Sequence, residues 1–202
     1  MCGRYQLPEE PDALLQRVLD DLNRAPVKAS GEIFPADRAP VLAPSRSGRA
    51  KGFAMRWGFT LNGRRVINAR SETAAERPLF RDSLLSRRCL IPLTRYYEWH
   101  RAGNHAKYAV TPKESAWIAG LYRLTSGEPE FTVLTRAPGE EIAWLHDRMP
   151  VLLPKRVWDD WLTPSGEWRT ALDSAVTRVA FEAVGDVQLG MKFESFQEEI
   201  PL

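Results

Sequence analysis

Phe53-Ala54-Met55-Arg56-Trp57-Gly58-Phe59-Thr60-Leu61-Asn62-Gly63-Arg64-Arg65-Val66-Ile67-Asn68-Ala69 is the stretch that decides the fold. Phe53 to Phe59 is aromatic and apolar enough to read as a strand. Asn62-Gly63 then supplies the residue pair that a tight hairpin turn favours. Val66 to Ala69 returns as the next strand. A hairpin here commits this part of the chain to antiparallel pairing.

Outward from the hairpin, further short strands are predicted at Arg88 to Leu93, Lys107 to Val110, Trp117 to Tyr122, Glu130 to Thr135 and Thr177 to Val184. Gly103-Asn104 and Ser126-Gly127 mark turns between them, and Ser45 to Gly52 is a polar hairpin loop. Pro35, Pro40 and Pro44 punctuate an extended segment before that loop. Helical periodicity appears at Asp12 to Asn23, where Leu14, Leu15, Val18, Leu19 and Leu22 form one stripe and Pro11 suits the first helical position. Ser71-Glu72-Thr73 is expected to open another helix, with Glu76 at capping-box spacing from Thr73 and Pro78 as a kink or break. Two more helices are expected at Glu140 to Leu145 and Pro154 to Leu162. No repeat or linker is visible. The pattern predicts an α+β fold in a single domain, residues 1–202, with a curved antiparallel barrel-like core and peripheral helices.

Composition narrows the function classes. The 202 residues carry 28 Lys and Arg against 26 Asp and Glu, so any basic surface must come from local clustering. No apolar run is long enough to span a bilayer, and Gln6-Leu7-Pro8-Glu9-Glu10 breaks any signal-peptide pattern, so a cytoplasmic location is expected. Cys2 and Cys89 make no disulfide framework, and Cys89, inside Cys89-Leu90-Ile91-Pro92, reads as a buried structural thiol. With His100, His105 and His146 they show no zinc spacing, so no metal and no cofactor is expected.

Four polar residues carry candidate chemistry. Cys2 becomes the first residue once Met1 is removed, and then bears an α-amine and a thiol on one carbon. Their ordinary pKa values, about 8 and about 8.5, leave both partly available as nucleophiles near neutrality. Asn68, between a strand end and an expected helix start, offers an amide that can fix an amine or a carbonyl. Glu98 lies among Tyr96, Tyr97 and Trp99, an apolar setting that suits a carboxyl for proton transfer. His146, in His146-Asp147-Arg148-Met149-Pro150, is the side chain best suited to proton shuttling at neutral pH. Plainer readings of the same four exist: a frayed terminus, a turn-forming asparagine, a surface glutamate on a strand and a histidine at a helix end.

Taken in order, Met1-Cys2-Gly3-Arg4-Tyr5, Ile67-Asn68-Ala69-Arg70-Ser71-Glu72-Thr73, Arg87-Arg88-Cys89-Leu90-Ile91-Pro92, Tyr96-Tyr97-Glu98-Trp99 and His146-Asp147-Arg148-Met149-Pro150 resemble the SOS response-associated peptidase family. The resemblance implies a barrel-like β core with a basic groove for single-stranded DNA, and recognition of abasic sites. It implies that Cys2 forms a covalent thiazolidine with the ring-opened sugar aldehyde, with Asn68, Glu98 and His146 as its partners. It further implies autoproteolytic removal of the residue before Cys2, action as a monomer, and association with the nucleoid when DNA is bound. Arg70 matches a family arginine that grips phosphate; Arg4, Arg77 and Arg148 are the other candidate DNA contacts. The chain departs from the family at Ile33-Phe34-Pro35-Ala36-Asp37, at Arg77 (one residue early), at Arg95 in place of a glycine, and in its short loop after Trp57-Gly58-Phe59.

Three other readings compete. Amidotransferases also begin Met-Cys-Gly and use the α-amine as base for its own thiol, but they need a glutamine-binding arginine and a further synthase domain. A non-covalent single-stranded DNA binder would use arginines and exposed aromatics alone. A general protease would need a substrate-specificity feature, and none is visible.

Overall fold

The computed structural model describes residues 2–22, 25–100, 105–125 and 127–184. Its centre is a ring of strands. Glu130–Arg136 pairs with Ala50–Trp57, which pairs with Arg38–Pro44, then Arg88–Ile91, then Ala116–Arg123, which pairs back onto Glu130–Arg136. This closes a small barrel and removes its sheet edges. The expected curved core is present, with one amendment to its antiparallel character. Glu130–Arg136 runs parallel to both Ala50–Trp57 and Asn68–Arg70. The barrel interior is apolar: Val41, Trp57, Leu90, Ile118, Phe131 and Val133 are buried, and Trp57 stacks on Phe131 with ring centroids 6.2 Å apart.

A second, fully antiparallel sheet of five strands lies beside it, in the order Val179–Ala183, Lys107–Pro112, Arg95–Trp99, Tyr5–Leu7, Gly31–Ile33. The N-terminal strand sits inside this sheet, between Arg95–Trp99 and Gly31–Ile33, which is why Cys2 and Tyr5 are held and buried.

The quoted hairpin forms about Asn62-Gly63, both at positive φ (49° and 76°), but it is shorter than predicted. Phe59–Leu61 pairs with Arg64–Val66 as a separate two-stranded ribbon. The break falls at Gly58, whose φ of 108° strains any other residue and where a Cβ would lie 3.1 Å from Arg65 Cβ and Ile67 Cγ2. The chain re-enters the barrel only at Asn68–Arg70.

Other boundaries also moved. Asp12, not Pro11, starts the first helix, Ala13–Asp21: its carboxylate accepts the N–H groups of Leu14 and Leu15 at 3.0 and 2.8 Å. The predicted end of that helix at Asn23 and the turn at Gly103-Asn104 lie outside the described residues, as does Ser126. Residues 71–76 form successive turns instead of a helix, and the helix begins at Pro78, in Pro78–Ser86. Proline is favoured in the first turn, so the residue read as a break is a start. Glu140 to Leu145 contains only the 3-10 turn Glu140–Ile142, and the regular helix in the next segment is Trp158–Leu162.

Candidate active site

Cys2 is fully buried, just ahead of the strand Tyr5–Leu7. The strand ladder extends toward it, because the Tyr97 N–H donates to the Arg4 carbonyl at 2.8 Å. Its Sγ lies 3.8 Å from the same carbonyl. Burial pushes the thiol up to about 12, and the nearby Glu98 charge acts in the same direction. The thiol is therefore held neutral and must give its proton to a base before it can act as a nucleophile.

Asn68 reaches Cys2 from the barrel. Its strand is fixed by parallel pairing of Asn68 with Val133, by the Val133 N–H to the Ile67 carbonyl at 3.0 Å, and by the Trp57 indole N–H to that carbonyl at 3.0 Å. From this support Asn68 Nδ2 donates to the Cys2 carbonyl at 3.1 Å. Asn68 Oδ1 is buried with no hydrogen-bond partner among the described residues, an acceptor available for an amine N–H.

Glu98 projects from Arg95–Trp99, opposite Tyr108 in the register, and is 4 % exposed. This excludes the surface-glutamate reading. Its Oε1 accepts the Trp99 N–H at 3.2 Å and lies 4.0 Å from His146 Nε2. His146, also buried, sits between the 3-10 turn Glu140–Ile142 and the short strand Met149–Pro150, which is pinned to Thr135 and Arg136. Two groups meet its Nδ1: the Arg148 main-chain N–H at 3.0 Å and Asp147 Oδ1 at 2.7 Å.

The four predicted residues thus converge from four separate segments of chain. The arginines divide. Arg70 and Arg77 are exposed, and neither has a side-chain partner among the described residues. Arg148 is engaged: its guanidinium binds Glu72 through both carboxylate oxygens at 2.9 and 2.7 Å, and the Thr135 carbonyl at 2.7 Å. Arg4 pairs with Glu32 at 3.0 Å and lies over the rings of Phe34 and Trp99, 4.3 and 5.1 Å from their centroids. Sequence reasoning missed Glu72, Asp147 and the buried pair Tyr5 and Tyr96, which face each other in register. Each lies inside a motif already singled out, but nothing in spacing alone marks its partner.

Among the described residues, no group of three or more His, Cys, Asp or Glu is placed to hold a metal ion, and no helix is long and apolar enough to cross a membrane.

Comparison with known proteins shows the family. The family model for SOS response associated peptidase (SRAP) matches residues 1–188. The chain is 32% identical over 182 residues to a Bacillus subtilis protein named abasic site processing protein YoqW, covering 81% of each. It is 28% identical over 151 residues to a yeast protein named abasic site processing protein YMR114C, covering 67% of this chain and 40% of that one. A solved protein from Bacteroides thetaiotaomicron superposes with a TM-score of 0.73 at 19% identity, over 92% of this chain and 93% of that one. A phage-related protein from Bordetella bronchiseptica gives 0.71 at 22% identity, over 92% and 95%. The chain belongs to the SOS response associated peptidase (SRAP) family.

Proposed function

We propose that this protein captures abasic sites in single-stranded DNA as a covalent adduct on Cys2. The observation that carries the reading is the hydrogen bond from Asn68 to the Cys2 carbonyl at 3.1 Å, beside the Glu98–His146 pair. It supports a fixed pose for Cys2, in what is usually the most mobile part of a chain, beside the two side chains read here as proton-transfer groups.

The chemistry follows from two nucleophiles on one carbon. Met1 leaves first: water adds across the Met1–Cys2 amide and frees the α-amine. That amine attacks the ring-opened sugar aldehyde to give a carbinolamine, which loses one water to become an imine. The thiol then adds across the C=N bond, sulfur to carbon and hydrogen to nitrogen, and closes a five-membered thiazolidine. The second attack is intramolecular, where effective molarities reach roughly 10⁵–10⁸ M. Asn68 orients the Cys2 backbone and offers Oδ1 to the amine. Glu98 orients the α-amine and relays its protons, and its charge adds to the burial that keeps the thiol neutral. His146 gives and takes protons at the sugar oxygen and at the departing water, a role typically contributing about 10²–10⁴-fold.

Support for the DNA strand comes from exposed Arg70 and Arg77 and from Arg4 with Phe34 and Trp99, a cation-and-ring surface of the kind that holds unpaired nucleotides. The relatives named as abasic site processing proteins support the substrate. On this reading the chain is one domain, acts as a monomer in the cytoplasm, and its peptidase chemistry is the maturation step.

The test is a denaturing gel. Protein whose intact mass shows a free Cys2 is incubated with single-stranded DNA carrying one abasic site. The expected result is a shifted band that needs the abasic site and is absent in Cys2→Ala. No band from such protein overturns the covalent reading and moves the weight to non-covalent binding, which high salt would abolish.

A further inference from the structure

His146 Nδ1 is approached by two groups that require opposite things of it. The Arg148 main-chain N–H, 3.0 Å away, is a donor and needs a lone pair on Nδ1. Asp147 Oδ1, 2.7 Å away, is an acceptor and needs a proton there. With the proton absent from Nδ1, the neutral ring carries its hydrogen on Nε2, toward Glu98, and cannot accept another at that atom. With the proton on Nδ1, Nε2 is the basic atom, and a second proton makes an imidazolium whose positive charge faces a carboxylate on each side. Proton transfer at Nε2 in either direction therefore needs the Asp147 arrangement.

The opposing arrangement is built as firmly. Arg148 cannot drift, because its guanidinium is tied to both oxygens of Glu72 and to the Thr135 carbonyl. Glu72 in turn sits in the turns directly after the strand that carries Asn68. The Arg148 N–H is thus fixed against the barrel, whereas the Asp147 carboxylate is a solvent-facing partner, its side chain 59% exposed.

We propose that Asp147 is a positioning residue that selects the proton-transferring form of His146, against the form stabilised by the Arg148 main-chain N–H. The logic is that of a nucleophile–base pair oriented by a third group. It rests on the proton-transfer role proposed above for His146. Among the described residues, Glu98 faces the ring on the Nε2 side, 4.0 Å away, and Asp147 on the Nδ1 side, with the Arg148 charge already matched by Glu72.

Two measurements decide it. Nitrogen NMR of ¹⁵N-histidine-labelled protein without DNA reads the state of His146, assigned by its loss in His146→Asn. The expected spectrum of the wild type at neutral pH shows Nδ1 protonated, and Asp147→Asn shifts the population toward the Nε2–H form. The second readout is the adduct rate at saturating abasic-site DNA as a function of pH. Asp147→Asn should lower the maximal rate about 10- to 100-fold, less than the roughly 10²–10⁴-fold of a whole positioned proton transfer because His146 itself remains, and displace the pH profile. Half-saturating DNA should stay unchanged, and Asp147→Glu should restore most of the rate. An unchanged His146 spectrum in Asp147→Asn, or an unshifted profile with full rate, overturns the proposal. If the wild type forms no adduct at all, the functional reading fails, while the spectra still decide which partner governs Nδ1.

Discussion

At the scale of the residue, the site turns on a thiol that is buried and a carbonyl that is held. At pH 8 a thiol with a pKa of about 12 is ionised in about one molecule in 10⁴, against roughly one in four for a free cysteine. Iodoacetamide should therefore leave the unprocessed, folded chain unmodified at Cys2 over the time that labels it fully in denaturant, as read by peptide mass. Ready labelling of the folded chain would contradict the buried, neutral thiol. Asn68 should matter through orientation. Asn68→Ala should slow adduct formation about 100-fold without lowering the melting temperature by more than a few degrees, because the side chain supports the Cys2 carbonyl and nothing in the barrel. A single-turnover gel assay beside a melt checks both. The nucleophilic capacity of Cys2 and the proton-transfer capacity of His146 are legible in their residue types. Their neighbours were not: Asn68 and Cys2 stand 66 positions apart, and only the closing of the barrel brings them into contact.

Elements are secured by a few buried charges that sequence patterns do not reveal. Arg88, 1% exposed, lies within the strand Arg88–Ile91 and carries no carboxylate partner among the described residues. Its guanidinium instead donates to the carbonyls of Leu84, Leu85, Trp161, Thr163 and Pro164, the ends of the helices Pro78–Ser86 and Trp158–Leu162. One side chain so caps the C-terminal ends of two helices against the barrel. Arg88→Met should cost about 3 kcal/mol, since it leaves buried carbonyls unpaired, and should lower the melting temperature by roughly 6–12 °C. A loss under 2 °C would show that water replaces the cap. Glu130 secures the ribbon in the same manner. It accepts from the Thr60 N–H at 3.0 Å and hydroxyl at 2.5 Å, and from Arg123 at 2.9 and 2.7 Å. Burial would raise its carboxyl, but these bonds outweigh burial and hold it below the ordinary value. Its contribution is full above the ordinary carboxyl pKa and is lost as pH falls through the lower folded-state value. Melting curves should accordingly show Glu130→Gln weaker than wild type at pH 7 and less sensitive to acid between about pH 5 and pH 3. Most of the barrel strands were readable from alternation and turn residues, whereas Tyr5–Leu7, Gly31–Ile33 and Arg95–Trp99 of the second sheet were not predicted. The helix expected at residue 71 was not there, because Ser71 and its neighbours follow the barrel: the Ser71 N–H is taken by the Thr135 carbonyl at 2.9 Å.

For the whole molecule, the near balance of 28 basic against 26 acidic residues means that no long-range field steers a polyanion in. Grip on DNA must come from local cations whose charge no acidic side chain neutralises, and the fold decides which of the four candidate arginines those are. The sequence treats Arg4, Arg70, Arg77 and Arg148 alike; the folded chain spends Arg148 on Glu72 and shares Arg4 with Glu32, leaving Arg70 and Arg77 open to solvent. Salt dependence separates these roles. Each phosphate contact on single-stranded DNA adds about 0.7 to the slope of log affinity against log salt. Measured by fluorescence anisotropy in a Cys2→Ala background, so that only reversible binding is read, Arg70→Ala should reduce that slope by about 0.7 and weaken binding uniformly across sequences. Arg148→Ala should leave the slope unaltered, because its charge is already neutralised, while slowing adduct formation in the Cys2-bearing protein by loosening the segment that carries His146. If instead Arg148→Ala removes as much slope as Arg70→Ala, DNA must displace Glu72 from Arg148 on binding, and the clamp between the Asn68 and His146 segments would be one that the substrate itself opens.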